Sequence, residues 1–193
     1  MSFISWFKRK ILRDPRERWN YQYGIGQWDS LKDARERERQ ELVKAYFIKY
    51  AEGGSLLEIG AGDGILPELV FQKKHYSTYV GTDVADIVMD KANERIGDDR
   101  HKFMFGDMNN WTITEKFDVV LFNECINYAE NLDKTFKDAF KNLKDGGVFI
   151  VSMHEHKRSP EIWAAFERNF TILEQKLVQN DYSKWMVKVA KPK

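Results

Sequence analysis

A nine-residue segment, LLEIGAGDG at positions 56–64, constrains the fold of this chain more than any other feature. Its apolar residues predict a buried parallel strand, and Gly60, Gly62 and Gly64 follow that strand at alternate positions. Glycine adopts positive φ values and lets the backbone approach a ligand closely, because it has no Cβ atom. The segment therefore predicts a strand that turns sharply into a helix. The turn either binds a ligand or is purely structural.

The other apolar segments alternate between the periods of strands and helices. Strands are predicted at residues 55–59, 78–82, 102–105, 117–122 and 148–152. Helices are predicted at residues 31–50, 65–73, 85–96, 132–143 and 160–168, and β-rich stretches at 170–177 and 183–189 indicate a terminal hairpin. This alternation predicts an α/β fold with a doubly wound, mostly parallel sheet. Ligands of such sheets bind beyond the carboxyl ends of the strands.

Two aspartates stand where such a ligand would lie. Asp83 follows the second strand, and an ionised carboxylate there can accept hydrogen bonds from both hydroxyls of a ribose. The alternative for Asp83 is that it caps the next helix. Asp107 follows the third strand and can accept a hydrogen bond from the exocyclic amine of adenine, with Met108 against the ring.

Composition limits the class of protein and its partners. The 193 residues suit one structural domain, and 31 basic against 30 acidic residues argue against nonspecific nucleic-acid binding. The one cysteine, Cys125, excludes an internal disulfide and favours a cytoplasmic location. No apolar stretch approaches the roughly 20 residues that span a bilayer. Residues 1–13 are basic and amphipathic, so they either pack on their own domain or touch an anionic membrane peripherally.

The spacing of the glycines separates two classes of ligand. A dinucleotide-binding turn has the pattern G-x-G-x-x-G or A, whereas this chain has G-x-G-x-G, and Ile65 stands where the third small residue belongs. With Glu58, Asp83 and Asp107 in register, residues 55–152 resemble the class I S-adenosylmethionine (SAM) dependent methyltransferases. An NAD-dependent reductase is disfavoured by Ile65 and by the lack of a Tyr-x-x-x-Lys pair.

The resemblance implies a Rossmann-like methyltransferase fold with a seven-stranded sheet whose last strand is antiparallel. It also implies that SAM is the cofactor. Residues 51–193 are then the SAM-binding core, and residues 1–50 form an N-terminal helical or lid segment. Two acids, Glu58 and Asp63, are expected near the cationic amino end of SAM. The predicted cofactor-binding residues are Glu58, Gly60, Ala61, Gly62, Asp83, Val84, Asp107, Met108, Asn123, Tyr23 and Trp28.

Tyr23 and Trp28 belong to an aromatic segment, residues 19–29, that also contains two glycines and is not predicted to be helical. The segment resembles the lid of several small-molecule methyltransferases, and aromatic faces attract a sulfonium cation and exclude water. The alternative is that these rings only fasten the N-terminus to the sheet.

Transfer of a methyl group to an oxygen or an ammonium requires a base. Glu124 and His154 follow the fourth and fifth strands and are the candidates, while Tyr128 is expected to orient the substrate. The alternatives are that Glu124 holds a helix N-terminus and that His154 and its neighbour His156 are merely exposed. Adjacent side chains of a strand point to opposite faces, so no metal site is predicted.

The segment after strand four lacks the proline pair of nucleic-acid amino methyltransferases and is similar to that of small-molecule enzymes, including the nodulation-type N-methyltransferases. We therefore expect a SAM-dependent methyltransferase that acts on an oxygen or nitrogen of a small molecule, with a sugar or glycan precursor as one possibility. A SAM-binding regulatory module without turnover stays open. The sequence leaves the oligomeric state undetermined.

Overall fold

Seven strands form one sheet in the computed structural model, which describes residues 14–193. Their order across the sheet is β3-β2-β1-β4-β5-β7-β6. Strands β1 to β5 are parallel, and β7 is antiparallel to both β5 and β6, which confirms the predicted sheet and its terminal hairpin. The strands are β1 Ser55–Ile59, β2 Thr78–Asp83, β3 His101–Phe105, β4 Phe117–Asn123, β5 Leu143–His154, β6 Phe170–Gln179 and β7 Lys184–Pro192.

Helices cover both faces of this sheet. The helices of residues 14–193 are α1 Pro15–Gly24, α2 Arg37–Ala51, α3 Asp86–Ile96, α4 Leu132–Phe140 and α5 Ser159–Asn169. Successive side chains of a strand point to opposite faces, so Leu56 packs with Phe47 of α2 whereas Leu57 packs in the cluster that contains Phe136 of α4. Both clusters are closely packed with aromatic and aliphatic side chains, and the core is therefore divided by the sheet.

The structure shortens three predicted helices. Helix α2 begins at Arg37 because residues 29–36 form two 3₁₀ turns, Asp29–Lys32 and Ala34–Glu36. The helix expected at 65–73 is a single π turn, Leu66–Val70, and α4 ends at Phe140. Strand β5 begins at Leu143, earlier than predicted, because Leu143 already pairs with Phe117 of β4 and the glycines of the expected turn lie within the strand.

The aromatic segment near the N-terminus was wrongly predicted to be non-helical, because residues 19–24 lie in α1. Asp14 caps α1, with its Oδ1 accepting from the Arg16 amide at 2.9 Å, and Pro15 occupies the first turn, where its missing N–H costs nothing. Asp86 at the start of α3 accepts hydrogen bonds from Arg16 and Asn20 of α1. These bonds fasten α1 beside the carboxyl end of β2.

Three further expectations concern residues 1–13, a membrane-spanning helix and the domain boundary. The predicted peripheral contact of residues 1–13 lies outside the described residues. Within residues 14–193, no helix is both long enough and apolar enough to cross a bilayer. The domain boundary at residue 50 stays a prediction. Helix α2, which falls mostly before it, contributes Val43, Tyr46 and Phe47 to the same core as the sheet.

Candidate active site

The glycine turn after β1 has the positive φ values that its sequence predicts, +73° at Gly60, +55° at Gly62 and +82° at Gly64. A Cβ at Gly60 would lie 2.4 Å from the Cβ of Cys125, so this glycine is required for packing against the loop after β4. A Cβ at Gly62 would lie 2.8 Å from the Tyr23 hydroxyl oxygen. The turn is therefore closed by Cys125 on one side and by α1 on the other.

Asp83 ends β2 beside this turn and is 8% exposed. Its Oδ2 accepts a hydrogen bond from the Gly62 amide at 3.1 Å, and its Oδ1 accepts one from the Ala85 amide at 2.9 Å. Burial raises the pKa of the Asp83 carboxyl, and the backbone hydrogen bonds oppose that rise. A carboxylate has about four acceptor positions, so the two backbone hydrogen bonds leave others for the hydroxyls of a ligand.

Asp107 lies where the sequence predicts it, at the end of β3 after Gly106. One of its oxygens accepts from the Asn109 amide at 2.8 Å, which shapes the loop and leaves the other oxygen for a ligand. Met108 packs against the core below the sheet edge, and Val84 follows Asp83 on the same rim.

Glu58 lies beneath the site rather than in its wall, because its side chain in β1 is 1% exposed. Its carboxylate accepts hydrogen bonds from the Tyr79 hydroxyl at 2.5 Å and from the Asn123 side-chain amide at 2.7 Å. Burial raises the pKa of Glu58 to about 7 against the effect of these two bonds. The residue therefore orients Asn123 beneath the site, and contact of Glu58 with the cofactor stays a prediction.

Arg39 of α2 was not predicted as a site residue, yet it is 2% exposed and reaches the carboxyl ends of β4 and β5. Its Nη1 donates to Asn123 Oδ1 at 2.6 Å and to Ser152 Oγ at 3.1 Å, and its Nε donates to Glu36 at 3.2 Å. In the sequence, Glu36 and Arg39 belong to the charged run ARERERQ, which is typical of a solvated helix face, so only the structure reveals their burial.

Glu124, directly after β4, has a φ of +57° and is the non-glycine residue with positive φ within residues 14–193. Its carboxylate accepts hydrogen bonds from Ser152 Oγ at 2.9 Å and from the His154 amide at 2.8 Å. Arg39 Nη1 lies 3.5 Å from it. Backbone strain of this kind persists where the surroundings enforce it, and it concentrates at functional sites.

An aromatic group lies above the turn. The rings of Trp19 and Trp28 are 5.4 Å apart, those of Trp19 and Tyr128 are 4.7 Å apart and edge-on, and those of Tyr23 and Trp28 are 6.5 Å apart. The indole nitrogen of Trp28 is buried without a hydrogen-bond partner among residues 14–193. The aromatic segment therefore brings rings to the site as predicted, although part of it is helical.

These elements surround a cavity of about 430 Å³ at the carboxyl end of the sheet, within the roughly 300–1,000 Å³ of small-molecule sites. Ala61 and Gly62 line a smaller cavity of about 40 Å³ beside it, and Asp63 there pairs with Lys32 at 2.5 Å. Arg18, Glu36 and His156 also line the large cavity. The predicted residues that line it are Tyr23, Trp28, Gly60, Asp83, Val84, Asp107, Met108, Asn123, Glu124, Tyr128 and His154.

The two histidines differ in their surroundings. His154 is exposed at the end of β5, with its ring 6.2 Å from that of Trp185. His156 is half-buried, whereas the sequence predicted that it would be exposed if it had no role. Its Nδ1 accepts a hydrogen bond from the Arg158 amide at 3.2 Å. Burial lowers the pKa of His156, and its Nε2 has no hydrogen-bond partner in the described chain.

Across residues 14–193, no group of three or more His, Cys, Asp or Glu side chains is arranged to hold a metal ion.

Comparison with known proteins decides between the ligand classes. Residues 31–187 match a family described as a methyltransferase domain. The chain belongs to the class I SAM-dependent methyltransferases. SAM is therefore the cofactor, and a dinucleotide such as NAD is not. The structure fits this cofactor, because the glycine turn, the buried Asp83 and the half-bonded Asp107 all line one cavity.

Relatives of this methyltransferase act on different acceptors. It is 26% identical over 126 residues to a malonyl-[acyl-carrier protein] O-methyltransferase of Priestia megaterium, covering 65% of this chain and 46% of the relative. It is 25% identical over 129 residues to a trans-aconitate 2-methyltransferase of Variovorax paradoxus, covering 66% and 48%. The chain thus spans about half the length of the curated relatives it matches.

Solved structures confirm the fold of the methyltransferase. The N-methyltransferase NodS of Bradyrhizobium japonicum, in complex with S-adenosyl-L-homocysteine (SAH), superimposes with a TM-score of 0.73 at 15% identity, covering 95% of each chain. At this identity the likeness concerns the fold alone.

Proposed function

We propose that this methyltransferase transfers the methyl group of SAM to an oxygen or a nitrogen of a small molecule. The observation that carries the proposal is one continuous cavity. It runs from Gly60 and Asp83, on the predicted cofactor side, to Glu124, Tyr128 and His154, on the predicted acceptor side. Two substrates in one crevice can be held in line for a displacement, which accounts for much of the acceleration of such reactions.

Bound SAM supplies an activated methyl group on a sulfonium. The residues of the chain align the acceptor, exclude water and take its proton. Glu124 positions the acceptor, because its carboxylate is fixed by two hydrogen bonds at the cavity wall. Trp28 and Tyr128 supply apolar faces that keep water from the reacting atoms.

The class of acceptor is narrowed by composition and by the relatives. A net charge of +1 supports a free small molecule over a nucleic acid, and a cytoplasmic location remains part of the proposal. The relatives are named for a malonyl group on a carrier protein and for trans-aconitate, and the structural neighbour is an N-methyltransferase. These names support both oxygen and nitrogen as acceptor atoms. A sugar or glycan precursor stays one possibility among several.

The test is transfer of label from methyl-labelled SAM to a pool of cell metabolites. We expect a labelled product together with an equal amount of SAH. At subsaturating SAM, the variant Asp83→Asn should lower product formation about 10- to 100-fold. Glu38→Gln, on an exposed face of α2, should leave it unchanged. Binding of SAM without any consumption would identify a regulatory module and would overturn the proposed transfer.

A further inference from the structure

Two carboxylates stand together in the wall of the cavity. Glu36, from the turn before α2, and Glu124, after β4, both line it, and the guanidinium of Arg39 lies between them. The Arg39 nitrogens are 3.2 Å from a Glu36 oxygen and 3.5 Å from a Glu124 oxygen. One buried cation therefore faces two carboxylates, and the group keeps a net charge of −1 when both acids are ionised.

Glu36 is the less satisfied of the two acids. The residue is only 7% exposed, and its Oε2 accepts from Arg39. Its other oxygen has no hydrogen-bond partner within residues 14–193. Because Glu36 lines the cavity, this oxygen can accept a hydrogen bond from a ligand there. In Glu124, by contrast, both oxygens already accept hydrogen bonds from the chain.

The rest of the cavity wall favours a cationic ligand as well. Trp28 and Tyr128 line the same cavity, and both rings contact Trp19. Faces of such rings attract ammonium groups. Among residues 14–193, Arg18 is the one arginine or lysine in the wall, and its guanidinium lies against Trp19, 5.9 Å from the ring centroid. The carboxylates that line the cavity are Glu36, Asp83, Asp107, Glu124 and Glu130.

We propose that the methyl acceptor is an amine, held between Glu36 and Glu124, and that Glu36 takes its proton. The inference rests on the proposed methyl transfer and specifies its acceptor. A carboxylate acceptor at the same place would face two like charges, while the nearest cation, Arg39, is already paired with Glu36. According to this inference, the chain differs in its acceptor from the relatives that are named for malonyl and aconitate acceptors.

The reaction balances in two steps. A substrate ammonium gives one proton to the Glu36 carboxylate and becomes a neutral amine. The nitrogen lone pair then forms the new N–CH₃ bond while the methyl–sulfur bond breaks, and the electron pair of that bond stays on sulfur. The product is an N-methylammonium, which carries the positive charge that the sulfonium loses, and the proton on Glu36 passes to water.

Glu36 has properties that suit a proton acceptor. Burial raises the pKa of its carboxyl, the Arg39 charge opposes the rise, and Glu124 adds to it. The Arg35 charge also opposes the rise in the pKa of Glu36. A carboxylate of raised pKa is a stronger base than an exposed one, which helps it to accept a proton from an ammonium.

The chemical class of the labelled product tests the inference directly. After incubation with methyl-labelled SAM and cell metabolites, we expect label that withstands mild base and binds a cation-exchange resin, as an N-methyl amine does. Label released as methanol by mild base would reveal a methyl ester and overturn the inference alone. Label that is stable but not retained by the resin would show that the product carries no basic amine and would also overturn it. No labelled product at all would overturn the proposed function itself.

A matched pair of variants tests the role of Glu36. Glu36→Gln should lower the rate of amine labelling at saturating SAM about 100-fold, a loss typical of a removed general base. It should also remove the dependence of that rate on pH in the acidic range, while SAH affinity stays within about 2-fold of the wild type. Glu38→Gln, on the same stretch of chain but exposed, should match the wild type. Equal rates in the two variants would contradict the assignment.

Discussion

Glu124 combines an unfavourable backbone conformation with a side chain that holds two neighbours. Its φ of +57° costs a non-glycine residue about 1–2 kcal/mol. The hydrogen bonds from Ser152 and the His154 amide fix the carboxylate at the cavity wall despite that cost. A residue retained under strain at such a place is expected to serve function more than stability.

We therefore predict that Glu124→Gly is more stable than Glu124→Ala by about 1 kcal/mol, because only glycine relieves the strain. This is the reverse of the usual order of the two residues. Urea unfolding of both variants measures it. Both should have lost methyl transfer, and an alanine variant as stable as the glycine variant would contradict the strain.

Glu58 makes stability depend on pH through its burial. Its folded pKa of about 7 lies above the ordinary 4.5, so the folded state holds a proton that the unfolded state releases between these values. The stabilising contribution is fully present below about pH 4.5 and is lost as the pH rises through 7. The shift corresponds to roughly 3 kcal/mol.

In Glu58→Gln the side chain has no carboxyl group to titrate, so this contribution to the pH dependence is removed. We predict that the free energy of unfolding of the wild type falls from pH 5 to pH 8 more steeply than that of the variant. Denaturant titrations at the two pH values measure the difference. The comparison isolates Glu58 from Asp83 and Glu36, whose pKa values are also raised by burial. Parallel pH profiles would show that Glu58 is ionised in the folded protein.

At the scale of elements, the turn after β1 depends on neighbours that are distant in sequence. Gly60→Ala brings its new Cβ to 2.4 Å from Cys125, in addition to the cost of a positive φ. Gly146 also has a positive φ, +81°, but a Cβ there meets nothing within 4 Å. It therefore provides a matched control in which conformational strain acts alone.

We predict that Gly146→Ala lowers the free energy of unfolding by about 1 kcal/mol and Gly60→Ala by more than about 2 kcal/mol. Urea denaturation compares the two variants. Equal losses of unfolding free energy in the two variants would mean that the loop after β4 shifts to accommodate the new methyl group. Gly60 would then not be required for packing.

The same scale shows what the sequence can predict. Strands were located well, because β1 and β4 are apolar runs bounded by turn residues, and α3 was placed within one residue. The start of α2 was not predicted correctly, because the 3₁₀ turns before it lack the apolar period of a helix. Helix α1 was missed, because a helix rich in aromatic residues lacks that period as well. The π turn after β1 is likewise not encoded by a local pattern.

At the scale of the whole molecule, the parallel sheet explains why the predicted site residues meet. Asp83, Asp107 and Glu124 stand at the carboxyl ends of three different strands, and the topology alone brings them to one edge. Glu36 and Arg39 come from outside the sheet, and their charged sequence context concealed their burial. Long-range packing of α2 on the sheet, which a single sequence does not display, decides their position.

Binding of SAH to the wild type, Asp83→Asn and Asp138→Asn, followed by calorimetry, tests the central assignment of the cavity most directly. Asp138 lies on α4 and pairs only with Lys134 and Lys141 among the described residues. Loss of a charged hydrogen-bond acceptor should weaken binding by about 10- to 100-fold in Asp83→Asn, while Asp138→Asn should match the wild type. Equal affinity in all three proteins would contradict the placement of the cofactor beside Asp83.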